Sequence, residues 1–189
     1  MLREMNLRGT IPDGFFSKVT RLTQVGLSDN KLEGTIPTTI GRLKDVRDFF
    51  IGQNKLTGSL PRQVGLMADL TILEIQGNKL GGSIPNLVGA LKDLEIFSAA
   101  RNHLTGTIPP ETGQMHRLRS LFVENNKLTG GVPSELGKLH GLQQCRLYDN
   151  RLSGEIPGEV CELIADEDLV FLGADCGHDF SCECCTRCY

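Results

Sequence analysis

Seven cysteines carry the most evident chemistry of the chain, and six of them, Cys161, Cys176, Cys182, Cys184, Cys185 and Cys188, crowd into its last 29 residues. An even set at this density reads as three disulfides, which belong to an oxidising compartment. Six cysteines allow 15 pairings, and spacing alone selects none of them. The rival chemistry is a thiolate metal site, for which CxCCxxC with His178 nearby supplies enough soft donors for zinc or copper. A metal-binding cysteine cap is therefore the alternative to a disulfide-rich one. Cys185 and Cys188 form a CxxC pair, but the strand-to-helix setting that activates such thiols in thioredoxin-like proteins is absent around them.

Little else points to catalysis. The four histidines, His103, His116, His140 and His178, share no common phase, and neither GxSxG nor HExxH occurs. A protein that is not an enzyme and uses neither cofactor nor resident metal is the expectation. A formal charge of -3 argues against a nucleic-acid partner. No run approaches the roughly 18 apolar residues of a membrane span, so no membrane contact by this segment is expected. Met1 is followed by LREMNLRGTIP, which lacks the apolar stretch of a signal peptide and reads as the middle of a repeating phrase, as though the segment were a piece of a longer protein. No NxS or NxT sequon occurs.

The elements that must position these residues come from one regularity. Asn30, Asn54, Asn78, Asn102, Asn126 and Asn150 recur every 24 residues, each opening a phrase such as NKLTGSLP or NRLSGEIP. A fixed period of this size means one supersecondary unit stacked on copies of itself. Before each Asn the pattern has period 2, with inward columns Val25, Phe49, Leu73, Phe97, Leu121, Cys145 and Leu27, Ile51, Ile75, Ala99, Val123, Leu147. Each buried Leu or Phe there contributes about 1.5–3 kcal/mol. Cys145 stands in such a column and reads as a small buried hydrophobe, which leaves the other six cysteines as the even set. The Asn amide can donate and accept where the chain turns out of the strand, so the column reads as an internal staple. Gly34, Gly58, Gly82, Gly106, Gly130 and Gly154 permit left-handed backbone, and the prolines from Pro37 to Pro157 start the outer, partly helical stretch.

One copy, LTQVGLSDNKLEGTIPTTIGRLKD from Leu22 to Asp45, fits LxxLxLxxNxL followed by GxIPxxIGxL. The GxIP phrase resembles the plant-type leucine-rich repeat of receptor-kinase ectodomains, polygalacturonase-inhibiting proteins and microalgal relatives, over about Met1 to Leu163. The tail CGHDFSCECCTRCY resembles the caps of secreted or surface leucine-rich-repeat proteins of microalgae. The resemblance implies a right-handed α/β solenoid with a concave parallel sheet, a second short sheet and a disulfide-rich C-terminal cap. Residues 1–160 would form the solenoid and 161–189 the cap, where LVFLGAD repeats the core phase through Leu169, Leu172 and Ala174 and should form a final strand. It also implies a non-catalytic recognition module, extracellular or at the cell surface, tethered or secreted, that binds a protein, a peptide or cell-wall carbohydrate. No GxGxxGxV loop or HRD sequence of a kinase occurs in the chain.

The strand pattern leaves its outward columns free for such binding. Asp48, Phe50, Ile72, Glu74, Ile96, Arg101, Phe122, Glu124, Arg146 and Tyr148 are the candidates. Five of them are apolar or aromatic where the pattern does not require it, as binding surfaces often are. The charged members read as a solvated face. A further column, Thr10, Thr35, Ser59, Ser83 and Thr107, forms a hydroxyl ladder of the kind found in ice-binding repeats, but Gly131 and Glu155 interrupt it.

Overall fold

The computed structural model describes every residue except Met1, Glu167, His178 and Asp179. The inward alternation seen in the sequence forms one parallel sheet of eight short strands. These are β1 (Gln24–Gly26), β2 (Asp48–Phe50), β3 (Ile72–Glu74), β4 (Ile96–Ser98), β5 (Ser120–Phe122), β6 (Gln144–Arg146), β7 (Phe171–Ala174) and β8 (Arg187–Cys188). Val25, Phe49, Leu73, Phe97, Leu121, Cys145 and Leu172 lie in direct register across the first seven. They belong to one apolar core that runs without a break from Ile11 to Phe180. Leu169, Leu172 and Ala174 follow Leu142, Cys145 and Leu147 after 27 residues instead of 24, and all three are still buried.

Away from the sheet, Pro37, Pro61, Pro85, Pro109 and Pro133 sit at the N-caps of 3₁₀ turns of five residues each. The proline ring presets the φ that such a turn needs. The glycine of the IGxL phrase has a separate role. A Cβ at Gly65 would stand 2.1 Å from the Leu87 carbonyl oxygen, and one at Gly113 would stand 2.2 Å from that of Glu135. Adjacent turns can therefore touch through backbone only where a side chain is missing. The glycine that opens GxIP takes positive φ, as at Gly58 (74°), a region that costs an L-residue energy.

The Asn column is the staple that hydrogen-bond accounting requires. Asn102 Oδ1 accepts the Leu80 amide of the preceding coil at 3.0 Å, while its Nδ2 donates to the carbonyls of Ile75, Ala99 and Ala100 at 3.1–3.2 Å. All six Asn residues repeat this bridge to the coil before them. The residue before each Asn lies in the left-handed region, including non-glycine residues such as Gln53 and Arg101.

The second sheet is present as separate two-stranded pairs rather than a continuous ribbon. Arg8–Thr10 pairs with Lys31–Glu33, Thr129–Gly130 with Arg151–Leu152, and Gly154–Glu155 with Phe180–Ser181. At the N-terminal end the Leu2 amide donates to the Gly26 carbonyl at 2.7 Å, so its backbone takes the place of a strand beside β1. The Leu2 side chain, at the first edge of the sheet, is 49% exposed.

Helix α1 (Gly158–Ala165), β7 and β8 make the C-terminal cap. Its six cysteines are joined as Cys161–Cys184, Cys176–Cys188 and Cys182–Cys185. With every one of these sulfurs in a disulfide, no thiolate set remains for the metal site considered above, and its accessory ligand His178 lies outside the described residues. Cys145 is the free thiol, fully buried, and burial pushes its pKa up to about 12. It is an inert packing residue.

Candidate recognition face

The first and third residues of β1 to β7 face the open side of the sheet, and the second residue beyond each of β1 to β6 adds a third row. With strands about 4.8 Å apart, the eight-stranded face is about 34 Å long. Its surface divides into two unlike halves across a low centre.

In the N-terminal half a cavity of about 520 Å³ is lined by Arg3, Asp29, Phe50, Gln53, Glu74 and Gln76 over Gly26 and Ser28. The wall is low because glycine replaces larger side chains: a Cβ at Gly52 would come within 3.0 Å of Gln76. Arg3 Nε donates to Asp29 Oδ2 at 2.8 Å, which neutralises both charges. Gln76 Nε2 donates to Glu74 Oε2 at 3.3 Å, while its own Oε1 is buried without a protein partner. Asp48 is held by Gln24 Nε2 at 2.8 Å and by the Thr71 hydroxyl at 3.4 Å. Phe50 and Glu74 thus line the cavity, whereas Asp48 is engaged with its neighbours.

At the centre, Ile72 and Ile96 are direct register partners and half-buried, and Ser98 and Ala100 form a buried floor. Arg101 lies off the strands, exposed in the left-handed turn.

The C-terminal half is built on one guanidinium. Arg146 lies over the Phe122 ring at 4.6 Å and the Phe171 ring at 5.7 Å, with its Nη1 3.9 Å from Glu124 Oε1 and its Nη2 donating to Gln144 Oε1 at 3.3 Å. Tyr148 stacks on Tyr189 with ring centroids 3.8 Å apart, and Arg187 lies 4.9 Å from the Tyr189 centroid. Burial, then the charge of Glu124, pushes the Tyr148 hydroxyl above its ordinary pKa. Tyr148 therefore offers less free surface than its position in the sequence suggests, because the C-terminal residue covers one ring face.

Glu124 departs from the expectation of a solvated charge. It is only 7% exposed, and its Oε2 has no hydrogen-bond partner. Burial, the leading cause, pushes its carboxyl above the usual range against the opposing pull of its own backbone amide, Arg146 and Arg101. Two further contributors, Phe171 and Tyr189, escaped the sequence reading. Phe171 was recoverable, since an inward Leu172 forces its neighbour outward. Tyr189 reaches the face only because the tail folds back as β8 beside β7.

The hydroxyl column reaches solvent at Thr35, Ser59, Ser83 and Thr107, with Gly131 and Glu155 breaking its line.

A family model described as Leucine Rich Repeat matches residues 21–43, 69–91 and 117–139. No curated protein sequence matches the chain significantly. Among solved structures, the Arabidopsis receptor kinase HAESA, in complex with the peptide hormone IDA and the co-receptor SERK1, is 32% identical with a TM-score of 0.83. The match covers 93% of this chain and 31% of that one. PEPR1, in the PEPR1–AtPEP1 structure, is 29% identical with a TM-score of 0.83, over 94% of this chain and 24% of its own. One chain of the BIR3–SERK2 complex from Arabidopsis thaliana is 33% identical with a TM-score of 0.56, over 65% of this chain and 64% of that one. The chain spans about a quarter to a third of the length of the first two.

Proposed function

Because the chain is a leucine-rich-repeat protein of the plant type with a disulfide-rich cap, we propose that it is a non-catalytic recognition module that binds a peptide or protein segment along its concave face. The observation that carries this reading is the face itself. Phe50, Ile72, Ile96 and Phe122 stay half-buried and partly accessible at positions where the core needs no apolar residue. Its length suits an extended segment, which could place side chains in the Phe50 cavity and against the Arg146 stack at once. The peptide hormone bound in the similar HAESA structure supports the same ligand class. The three disulfides and the likeness to a hormone-bound receptor kinase support an extracellular setting, secreted or tethered. Binding of polygalacturonase or of cell-wall carbohydrate on this face has no comparable support.

The test is to pan a displayed library of extended peptides on the disulfide-intact chain and on its Phe50→Ala/Phe122→Ala variant. Selected peptides should lose about 1–2 kcal/mol per ring on the variant while melting stays nearly unchanged, and should protect β2–β5 from hydrogen exchange. Equal affinity for both chains, or protection confined to the convex side, rejects the reading.

A further inference from the structure

The residue after each stapling Asn is Lys31, Lys55, Lys79, His103, Lys127 or Arg151, so the 24-residue period also repeats a base. All six side chains are exposed, and packing makes no demand on their type. Their alignment is fixed by backbone. The amides of Lys55, Lys79, His103, Lys127 and Arg151 donate at 2.7–2.9 Å to Leu32, Leu56, Leu80, Leu104 and Leu128, each of which directly follows the previous member of the column. Neighbours are therefore held about one strand spacing, ~5 Å, apart.

Like charges opposed across adjacent strands destabilise a sheet. The column repeats that cost on both sides of His103, between Lys31, Lys55 and Lys79 and between Lys127 and Arg151, and among the described residues only Lys55 of the six forms an ion pair, with Glu33 at 3.5 Å. The chain as a whole is acidic at -3, so the stripe is a local concentration of cations and not a reflection of bulk charge. The four lysines and Arg151, with His103 among them, stand in a row at strand spacing that matches a linear polymer with one anionic group per monomer. The disulfide cap places that polymer in an oxidising compartment, which favours polysaccharide over nucleic acid.

We propose that this flank, separate from the concave face and independent of what that face binds, is a docking strip for linear anionic polysaccharide bearing uronate or sulfate groups. Binding would release condensed counterions, so affinity falls as salt rises.

The experiment titrates the disulfide-intact chain with polygalacturonate, dextran sulfate, neutral dextran and duplex DNA over a salt series. It repeats the titration with Lys55→Glu/Lys79→Glu/Lys127→Glu and with the milder Lys55→Gln/Lys79→Gln/Lys127→Gln. The wild type should bind at least one of the two anionic sugars at low salt, and whichever binds identifies the anionic group. The Glu variant should lose about tenfold or more in affinity and show a shallower salt slope, the Gln variant should fall between the two, and both should melt as the wild type does. Phe50→Ala/Phe122→Ala should bind these sugars like the wild type. Unchanged binding by both Lys variants, equal binding of neutral dextran, loss of binding in the Phe variant, or tighter binding of DNA than of either sugar would each overturn the proposal.

Discussion

The body of the solenoid and its C-terminal cap solve the same hydrogen-bonding problem with different atoms. In the body, the left-handed residue and the Asn after it donate their amides to carbonyls of the next coil: Gln53 to Gln76 at 2.8 Å, Asn54 to Gly77 at 3.2 Å, Asn125 to Tyr148 and Asn126 to Asp149 at 3.0 Å. At the last coil the corresponding amides, Asp149 and Asn150, donate to Oδ1 and Oδ2 of Asp175 at 2.8 and 3.0 Å. One carboxylate thus stands in for two backbone carbonyls. The Thr186 hydroxyl acts similarly at the edge of β7, accepting from the Leu172 amide at 2.9 Å and donating to its carbonyl at 3.0 Å. The body relies on main chain that any sequence supplies, so its stability is shared among coils, whereas the cap concentrates the same function in a few side chains. A defect in the middle should therefore spread to both neighbouring coils, while a defect in the cap should stay local.

The largest effect is expected in the body. Asn102→Ala strips partners from the Leu80 amide and from the carbonyls of Ile75, Ala99 and Ala100, which lie in two adjacent coils. The Leu80 amide is left unpaired, at about 1–3 kcal/mol, and the three carbonyls keep Asn78 Nδ2, Asn126 Nδ2 and the Gly77 amide but each lose a hydrogen bond worth about 1 kcal/mol, so a loss of about 3 kcal/mol or more is expected in denaturant unfolding. Native-state hydrogen exchange should show β3, β4 and β5 losing protection together. Loss confined to one strand would contradict the picture of shared stability.

Asp175→Ala should cost less, about 1.5–3 kcal/mol, the range for hydrogen bonds to a charged group. Faster exchange should be limited to Asp149, Asn150 and the coil around β6, with β2–β4 unaffected. If the whole sheet loosens equally, the cap is no more local than the body and the contrast fails.

This division also decided what could be read from the sequence. The inward columns, the Asn staple, the buried Cys145 and the phase of β7 were legible because each repeats a residue type with one structural meaning. The left-handed column was hidden, since Gln53 and Arg101 interrupt the Asp29, Gly77, Asn125 and Asp149 that tolerate this backbone, and no single residue type runs through it. The disulfide pairing, the Asp175 carboxylate and the Tyr189 stack were hidden for another reason. They occur once, between residues brought together only by the path of the tail, and no period marks them. On the candidate face, alternation separates the half-buried Phe50, Ile72, Ile96 and Phe122 from the inward columns, but could not show that Glu124 would be sealed beside Arg146.

Glu124 belongs to the body by position, yet its surroundings depend on Arg146, which in turn stacks on Phe171 of the cap. Burial raises its folded-state pKa above the unfolded value. As pH rises past the unfolded pKa, the unfolded chain therefore releases this proton before the folded chain does. Between the two values the folded state binds more protons, so this group makes stability fall with increasing pH and adds most on the acid side. That is the reverse of a carboxylate held low by an ion pair. Glu124→Gln removes the titration, so the difference in unfolding free energy between variant and wild type should grow in the variant's favour as pH rises through the carboxylate range, and then level off. This is the smallest of the expected effects, and urea unfolding of the two chains at a series of pH values measures it. A difference that moves in the opposite direction would mean that Arg146 outweighs burial, and that the cap end of the face is held by an ion pair and not by stacking.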